Sequence, residues 1–273
     1  MDCDAGATLQ AALDGAVEGD TINVSGTCNE RVIVSIGNIT IDGGGTAIID
    51  GTGLSPGSLF RVRALNVRIL NLTVRNGPNT GLLVGRSGSA TIQGVTSRDN
   101  GGSGILVNQA AYGRIGPDGR SDHPAAGTGT GNHIFGNGGN GISVRSGANA
   151  DIFHNLITGN NRGINISSAG SADIDANVIT GNADRGLGLS ENRAVRLSSD
   201  GSHHDTGLGN ARLVVDPENN LIELNGEGLR CRRGGAANGN EQNFGVGNPG
   251  TGDTPHSDDV LIASDCHVRN TVF

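Results

Sequence analysis

A four-residue string recurs six times and constrains the fold of this chain more than any other feature. It consists of a glycine, an aliphatic residue, a variable residue and a second apolar residue. Where nothing is inserted, successive strings are 22 or 23 residues apart, as from Gly141 to Gly163 and from Gly163 to Gly186. A fixed period of this length is typical of a solenoid, in which each repeat forms one turn and packs only against its neighbours. The six strings occupy residues 81–84, 104–107, 141–144, 163–166, 186–189 and 228–231.

A second recurrent feature is a pair of asparagines separated by four residues. Alternating apolar residues such as Ala150 and Ile152 predict short β-strands between the pairs. We expect each asparagine at a corner with a left-handed backbone, its amide bonded to that of the next coil, and the glycines to meet the same backbone demand. The pairs are Asn71/Asn76, Asn132/Asn137, Asn155/Asn160, Asn177/Asn182 and Asn220/Asn225, with Gly94/Asn100 as a looser copy.

The composition excludes several classes of protein. The 273 residues include five Phe, one Tyr and no Trp, which suits thin repeated layers of aliphatic side chains better than one thick core. All 19 basic residues are arginine, and the net charge of -8 argues against a nucleic-acid partner. Because the chain has no run of about 18 apolar residues, we expect no membrane span.

The four cysteines fall into two sets, Cys3 with Cys28 and Cys231 with Cys266. None has the Cys-x-x-Cys spacing of a zinc or redox site, so one disulfide at each end of the chain is the simplest interpretation. Disulfides predict an extracellular or periplasmic location. We expect a secreted chain whose signal peptide has been removed, because none precedes Cys3.

Two of the repeats carry a family resemblance. Residues 155–160, Asn-Leu-Ile-Thr-Gly-Asn, and 177–182, Asn-Val-Ile-Thr-Gly-Asn, resemble the repeats of right-handed parallel β-helices in the pectin-lyase-like superfamily. The entry segment is similar too, with Thr-Leu-Gln-Ala-Ala-Leu at 8–13 and Ile-Thr-Ile-Asp-Gly-Gly at 39–44. The resemblance implies a fold and no single function, since the superfamily holds lyases, hydrolases, epimerases and proteins of no known activity.

In that superfamily the entry segment supplies an amphipathic helix that caps the first coil. Thr8 is suited to be its N-cap, with Leu9 and Leu13 facing inward. We therefore expect an all-β, single-domain right-handed parallel β-helix over 1–273, with an N-terminal cap and an irregular C-terminal cap. The cap covers 1–30, the coils cover 31–231, and an irregular last coil and C-terminal cap cover 232–273.

Two interruptions of the repeat point to a binding face. The step from the last aliphatic residue of a strand to the corner asparagine takes three residues in two regular coils, but 17 after Ile115 and 23 after Leu197. The insertions 116–131 and 198–219 therefore leave the coil at the same corner, three coils or about 14 Å apart. Insertions on one face of a solenoid often mark its binding face.

The regular coils between the insertions would form the floor of a groove. Alternation directs Asp151, Asp173 and Asp175 outward, and Arg114 and Arg196 extend the column of the first two. One interpretation is electrostatic, with the arginines offsetting the repulsion between stacked carboxylates. The other is functional, since a carboxylate pair about 5 Å apart matches a retaining glycosidase, and Asp151 and Asp173 could instead hold Ca²⁺.

Further candidates surround this column. We expect Phe153 to be the one aromatic side chain at the groove floor, and Tyr112 to be a packing residue rather than a catalytic one. His133 is expected to be semi-buried and His154 structural. The remaining candidates for holding sugar hydroxyls or carboxylates are Arg145, His123, His203, His204 and Asp205, together with Arg114 and Arg196.

The sequence leaves two classes of function open. The first is a hydrolase or lyase acting on an extracellular polysaccharide, with Asp151, Asp173 and Asp175 doing the chemistry. The second is a non-catalytic structural, adhesion or glycan-binding protein. Because the chain has no lysine, a lyase would need arginine or histidine as its base. Ca²⁺ is the one cofactor for which we find candidate ligands.

Overall fold

The computed structural model describes residues 1–117, 131–192, 194–197, 220–223, 225, 229–232, 236–239 and 267–269. In this part of the chain, one short helix precedes 26 strands that form three parallel sheets. Each coil contributes one strand to each sheet in turn, and every strand except those at the ends of a sheet pairs with its counterpart in the coils before and after it. The predicted fold class, an all-β parallel β-helix, is confirmed.

The three sheets run the length of the described coils. The first sheet contains β1 (Thr21–Asn23), β4 (Thr40–Asp42), β7 (Val67–Leu70), β10 (Ser89–Gln93), β13 (Tyr112–Ile115), β16 (Asn149–Phe153), β19 (Ser171–Asp175), β22 (Ala194–Leu197), β25 (Ala236–Gly239) and β26 (His267–Arg269). The second sheet contains β2 (Thr27–Cys28), β5 (Ile48–Asp50), β8 (Thr73–Arg75), β11 (Thr96–Arg98), β14 (His133–Phe135), β17 (Leu156–Thr158), β20 (Val178–Thr180) and β23 (Leu221–Glu223). The third sheet contains β3 (Val32–Val34), β6 (Phe60–Val62), β9 (Leu82–Val84), β12 (Ile105–Val107), β15 (Asn140–Val144), β18 (Arg162–Ser167), β21 (Arg185–Ser190) and β24 (Leu229–Arg232).

The interior is a set of stacked aliphatic columns. In the first sheet, Ile92, Ile115, Ile152 and Ile174 are neighbours in register, and all four are 0% exposed. Side chains of this size fill the narrow space between three sheets without a large ring. The core geometry thus explains why the chain contains so few aromatic residues.

The N-terminal cap is the helix α1 (Leu9–Asp14). Thr8 accepts a hydrogen bond from the backbone N–H of Ala11 and is the N-cap, while Leu9 and Leu13 are buried against the first coils, as predicted. Cys3 and Cys28 form the expected disulfide beneath this helix. The second expected pair lies outside the described residues, because only the backbone of Cys231 is described and Cys266 is not.

Asparagine side chains form two ladders along the edges of the second sheet. In each ladder an amide Nδ2 donates to the Oδ1 of the next coil's asparagine at 2.8–3.1 Å, which confirms the expected amide-to-amide bonding. Each Oδ1 also accepts the backbone N–H of the asparagine in the coil before it. One ladder contains Asn132, Asn155, Asn177 and Asn220; the other contains Asn100, Asn137, Asn160, Asn182 and Asn225.

The backbone role predicted for these asparagines is wrong by one position. The left-handed residue of a regular corner is the one before the ladder asparagine, such as His154 (φ 54°) before Asn155. Asn71 and Asn76 have φ of 51° and 57° and occupy this preceding position, so they do not belong to the ladder columns. The side-chain amide of each ladder asparagine therefore serves hydrogen bonding, and the residue before that asparagine provides the left-handed turn.

As predicted, glycines directly before ladder asparagines provide left-handed corners: Gly136, Gly159 and Gly181. The glycines of the recurrent strings have a different role. Gly104, Gly141 and Gly163 are absent from the left-handed positions, and their backbone is ordinary. A Cβ on Gly141 would lie 2.6 Å from Cγ2 of Ile157 and 2.9 Å from Nδ2 of Asn160. The string begins with glycine because the ladder and the core of the second sheet leave no room for a side chain there.

Candidate functional site

The charged column predicted from the alternation lies on the outward face of the first sheet. Arg114, Asp151, Asp173 and Arg196 are neighbours in register in β13, β16, β19 and β22. Their parallel strands place successive members about 4.8 Å apart. Arg196 is placed by its backbone alone. The structure thus brings the two carboxylates together, with one arginine position in the coil on each side.

Asp151 is the best-defined carboxylate of the column. Its Oδ2 lies 4.0 Å from a terminal nitrogen of Arg114, and the two side chains are 19% and 27% exposed. An ion pair at this distance and exposure is screened by solvent and contributes little to stability. The same Oδ2 accepts a hydrogen bond from the hydroxyl of Tyr112.

Tyr112, for which a packing role was preferred over a catalytic one, also belongs to this site. Its side chain is 36% exposed and lies on the sheet surface diagonal to Asp151. Partial burial, followed by the hydrogen bond to Asp151 and its charge, raises the pKa of Tyr112 to about 12. The phenol therefore remains a protonated donor at neutral pH. The signal in the sequence was its position two residues before Arg114, on the same side of the strand.

Asp175 lies at the end of β19, next to the corner. Its register neighbour in the coil below is Phe153, which the sequence analysis placed at an open groove floor. That prediction is wrong, since Phe153 is only 4% exposed and its ring is not an accessible platform. Asp173 and Asp175, two residues apart, remain on the outward side of the strand.

The two insertions leave the coil at one corner, as predicted. Ile115 and Leu197, which precede them, belong to the same register column through the two intervening coils. Gly116 and Gly131 are the described ends of the first insertion. A Cβ on either would lie within 1.8 Å of a backbone carbonyl oxygen of the next coil, that of Phe153 or His154. Both ends therefore pack directly against the next coil, at the corner where that coil passes from the first sheet to the second in only two residues.

The other predicted site residues are placed elsewhere or are not described. Arg145 is exposed and follows the third-sheet strand β15, before the turn into β16, so it lies outside the charged column. His133 is half-buried, with its ring 4.3 Å from that of Phe135, and burial lowers its pKa. His123, His203, His204 and Asp205 lie outside the described residues.

Within the described residues, one group of three side chains has metal-binding atoms close together, and it is not in the column. It comprises Cys3, Cys28 and Glu30, whose ligand atoms lie within 4.8 Å of one another. Both sulfurs are in the disulfide, and the Glu30 oxygens accept the N–H groups of Leu9 and Gln10 at 2.6 and 3.1 Å. All of these ligand atoms are therefore already bonded within the N-terminal cap.

The fold and this surface define a parallel β-helix repeat protein that carries a charged column beside two insertions at a common corner. The chain belongs to the NosD family, whose description is "Periplasmic copper-binding protein (NosD)", because the family model matches residues 13–199, more than half of its length. A solved structure with a similar architecture is the A-module of the mannuronan C-5 epimerase AlgE6 of Azotobacter vinelandii. It is 11% identical, with a TM-score of 0.37 over 84% of this chain and 76% of that one. No curated protein matches the chain.

Proposed function

We propose that this protein binds a polysaccharide of the periplasm or cell exterior along the outward face of the first sheet, at the corner flanked by the two insertions. The observation that carries the proposal is the register column itself. The column places guanidinium donors of Arg114 and carboxylate acceptors of Asp151 and Asp173 on the same surface. Sugar hydroxyls are both donors and acceptors, so a row that combines these groups suits a glycan chain.

Tyr112 supports binding more directly than it supports chemistry. Its hydroxyl and the guanidinium of Arg114 both address the same oxygen of Asp151, which fixes that carboxylate as an oriented acceptor. A sugar hydroxyl would donate to a carboxylate held in this orientation. A fixed acceptor of this kind loses little conformational entropy when the ligand arrives.

Polysaccharide cleavage is the second candidate function, and the carboxylate pair favours it. Asp151 and Asp173 lie on adjacent parallel strands, and a pair of carboxyl groups about 5 Å apart is the arrangement of retaining glycosidases. In that case one carboxyl would protonate the leaving oxygen while the other attacks the anomeric carbon. Asp175 would position the sugar at the corner.

Two observations support a location outside the cytoplasm. The disulfide between Cys3 and Cys28 requires an oxidising compartment to form and persist. The family to which the chain belongs is described as periplasmic. We therefore place the glycan partner outside the cytoplasm. Among the described residues no helix is both long and apolar enough to cross a membrane.

Copper, which the family description names, does not fit the donors of the described residues. Copper favours imidazole, thiolate and thioether ligands. The one clustered set contains no free thiolate, since Cys3 and Cys28 are bonded to each other and Glu30 caps the helix. The two histidines whose side chains are described, His133 and His154, are not part of any such cluster. We therefore assign copper no role in the proposed binding.

The test is a binding measurement on a panel of acidic and neutral polysaccharides, by affinity electrophoresis or calorimetry. We expect Asp151→Asn and Asp173→Asn each to weaken binding of the preferred glycan about tenfold, the equivalent of one charged hydrogen bond. Asp14→Asn, an exposed acidic residue on the cap helix, is the matched control and should change nothing.

Two outcomes separate the alternatives. Release of reducing ends or unsaturated products by the wild type, lost in both column variants, would assign cleavage to this site. Repeating the assay with a chelator and added Ca²⁺ tests whether Asp151 and Asp173 hold that ion. Absence of binding to every polysaccharide tested would refute the proposal.

A further inference from the structure

A second surface feature lies on the third sheet, away from the corner with the insertions. It is a pocket of about 200 Å³ that opens beside strands β6, β9 and β12. Its polar lining comes from three arginines and two amides, Arg61, Arg63, Arg86, Asn108 and Gln109. None of these five residues belongs to the charged column of the first sheet, so the pocket is a separate site.

The strand register explains how the arginines converge. Val62 faces the core at 0% exposure, so Arg61 and Arg63, one residue on either side, face outward. Arg86 follows in the turn of the next coil. That turn stacks on the one that contains Gln109, because the N–H of Ser87 donates to the carbonyl of Gln109 at 3.0 Å. Three successive coils thus contribute to one concave surface.

Gly85 keeps the pocket open. It continues strand β9 between the coil of Arg63 and the coil of Asn108, and its backbone is not left-handed. A Cβ there would lie 2.8 Å from Oδ1 of Asn108 and 3.7 Å from Cδ1 of Leu83. Any side chain at this position would therefore occupy the space between the arginines and the amides.

The pocket groups three positive charges on one surface. Within the described residues, the guanidinium groups of Arg61, Arg63 and Arg86 form no ion pair with a carboxylate, although the chain carries a net charge of -8. Arg75 and Arg162, by comparison, each contact an aspartate at 2.8 or 2.7 Å. Like charges grouped on one surface repel one another, and a bound anion would remove that repulsion.

Two polar atoms of the pocket residues are shielded from solvent and lack a hydrogen-bond partner in the described structure. They are Nε of Arg61, a donor, and Oδ1 of Asn108, an acceptor. Polar atoms buried without a partner are costly, and a small rotation of either side chain towards the pocket would let a ligand supply the missing partner. An anion without an O–H group, such as sulfate, would satisfy the donor and leave the acceptor unmet.

We propose that this pocket binds one uronic acid unit, free or within an acidic glycan. The planar guanidinium groups match the two oxygens of a carboxylate. The amide oxygens of Asn108 and Gln109 would accept sugar hydroxyls, and Leu83 offers an apolar contact to the ring. The volume lies below the roughly 300 Å³ at which pockets for drug-sized ligands begin, so it admits a single sugar.

The test is calorimetric titration of the full chain with glucuronate and galacturonate, against glucose and inorganic sulfate as comparison ligands. We expect saturable 1:1 binding of a uronate that is at least tenfold tighter than binding of glucose or sulfate. Arg61→Gln and Arg63→Gln should each weaken it at least tenfold. Arg68→Gln, an exposed arginine of the first sheet, is the matched control and should leave it unchanged.

Gly85→Ser distinguishes loss of the binding site from loss of folding. It leaves all three arginines in place and fills the pocket, so it should abolish uronate binding while the circular dichroism spectrum and the unfolding midpoint stay close to those of the wild type. No uronate binding by the wild type, equal or tighter binding of sulfate, or unchanged binding in Gly85→Ser would each overturn the proposal.

The outcome is independent of the function proposed above. Asp151→Asn alters the first sheet and should leave uronate binding in the pocket unchanged, whereas Gly85→Ser should leave the column of the first sheet intact. If polysaccharide binding is weakened only in Asp151→Asn, the result supports the column as the polysaccharide site. If uronate binding is weakened only in Gly85→Ser, the result supports the pocket as the uronate site.

Discussion

At the scale of single residues, one buried amide per corner holds three coils together. Nδ2 of Asn160 donates to the carbonyl of Ile134 and to Oδ1 of Asn182, and its Oδ1 accepts from both the backbone and the side-chain nitrogen of Asn137. Because Asn160 is only 2% exposed, water cannot replace these bonds if the side chain is lost.

The first prediction concerns this amide. Asn160→Ala leaves a buried N–H and a buried carbonyl without partners, so we expect it to lower the free energy of unfolding by about 3 kcal/mol. Asn161→Ala, at the exposed neighbouring position, should change it by less than about 0.5 kcal/mol. Urea denaturation followed by circular dichroism measures both, and equal effects in the two variants would contradict the role of the ladder.

The second prediction uses the fact that Tyr112 is the only tyrosine in a chain without tryptophan. Ultraviolet titration of the phenolate therefore reports on this residue alone, and we expect a midpoint at about pH 12 instead of the ordinary 10. Because the folded-state pKa is raised, the stabilisation linked to Tyr112 is complete below pH 10 and is lost as the pH rises from 10 to about 12.

Asp151→Asn provides the control for that titration. The variant removes the carboxylate that accepts the phenol proton, so the midpoint should shift back towards 10. Circular dichroism at each pH shows whether the chain is still folded. A midpoint near 10 in the folded wild type would mean that the phenol does not interact with Asp151.

At the scale of elements, the third prediction concerns the start of strand β15. Gly141→Ala would place a Cβ 2.6 Å from Cγ2 of Ile157 and 2.9 Å from the ladder amide of Asn160, so we expect a loss of about 1–3 kcal/mol from overpacking. Gly15→Ala is the control, because a Cβ there meets its nearest neighbour at 3.8 Å. A tolerated Gly141→Ala would show that the ladder can move to make room.

The same element shows what sequence reasoning can and cannot reach. The period and the aliphatic alternation were enough to predict strand type, pairing and the buried face, because these depend on spacing alone. The reason for Gly141 could not be predicted, since its steric contact with Asn160 involves a residue 19 positions away in the sequence. The column Arg114–Asp151–Asp173 was predictable from register, whereas the burial of Phe153 depends on how the corner packs.

At the scale of the whole molecule, each coil contacts only the coils before and after it, so stability is the sum of local terms along the axis. The fourth prediction follows for the Cys3→Ser/Cys28→Ser double variant. The disulfide closes a 25-residue separation, and its loss should cost about 3 kcal/mol. Hydrogen exchange should accelerate in the first coils, around 21–34, and stay unchanged in the central coils, around 140–180.

Uniform acceleration along the chain in that experiment would instead indicate that the β-helix unfolds as one cooperative unit. The sequence predicted the solenoid and its N-terminal disulfide, because both follow from repeated spacing and from cysteines near one end. It did not reveal the pocket of Arg61, Arg63 and Arg86, because Arg61 lies in β6, Arg63 lies just after it and Arg86 comes a coil later. Their convergence depends on the space left by Gly85.

The close packing of Gly116 and Gly131 against the next coil suggests how proteins of this kind can diversify. Both ends are seated against adjacent carbonyls, those of Phe153 and His154, so the gap they span is the same whatever chain length lies between them. Closure of a longer excursion adds only a slowly growing entropic cost. This corner is therefore a natural grafting point, where foreign peptides could be exchanged and displayed while the scaffold underneath keeps its geometry.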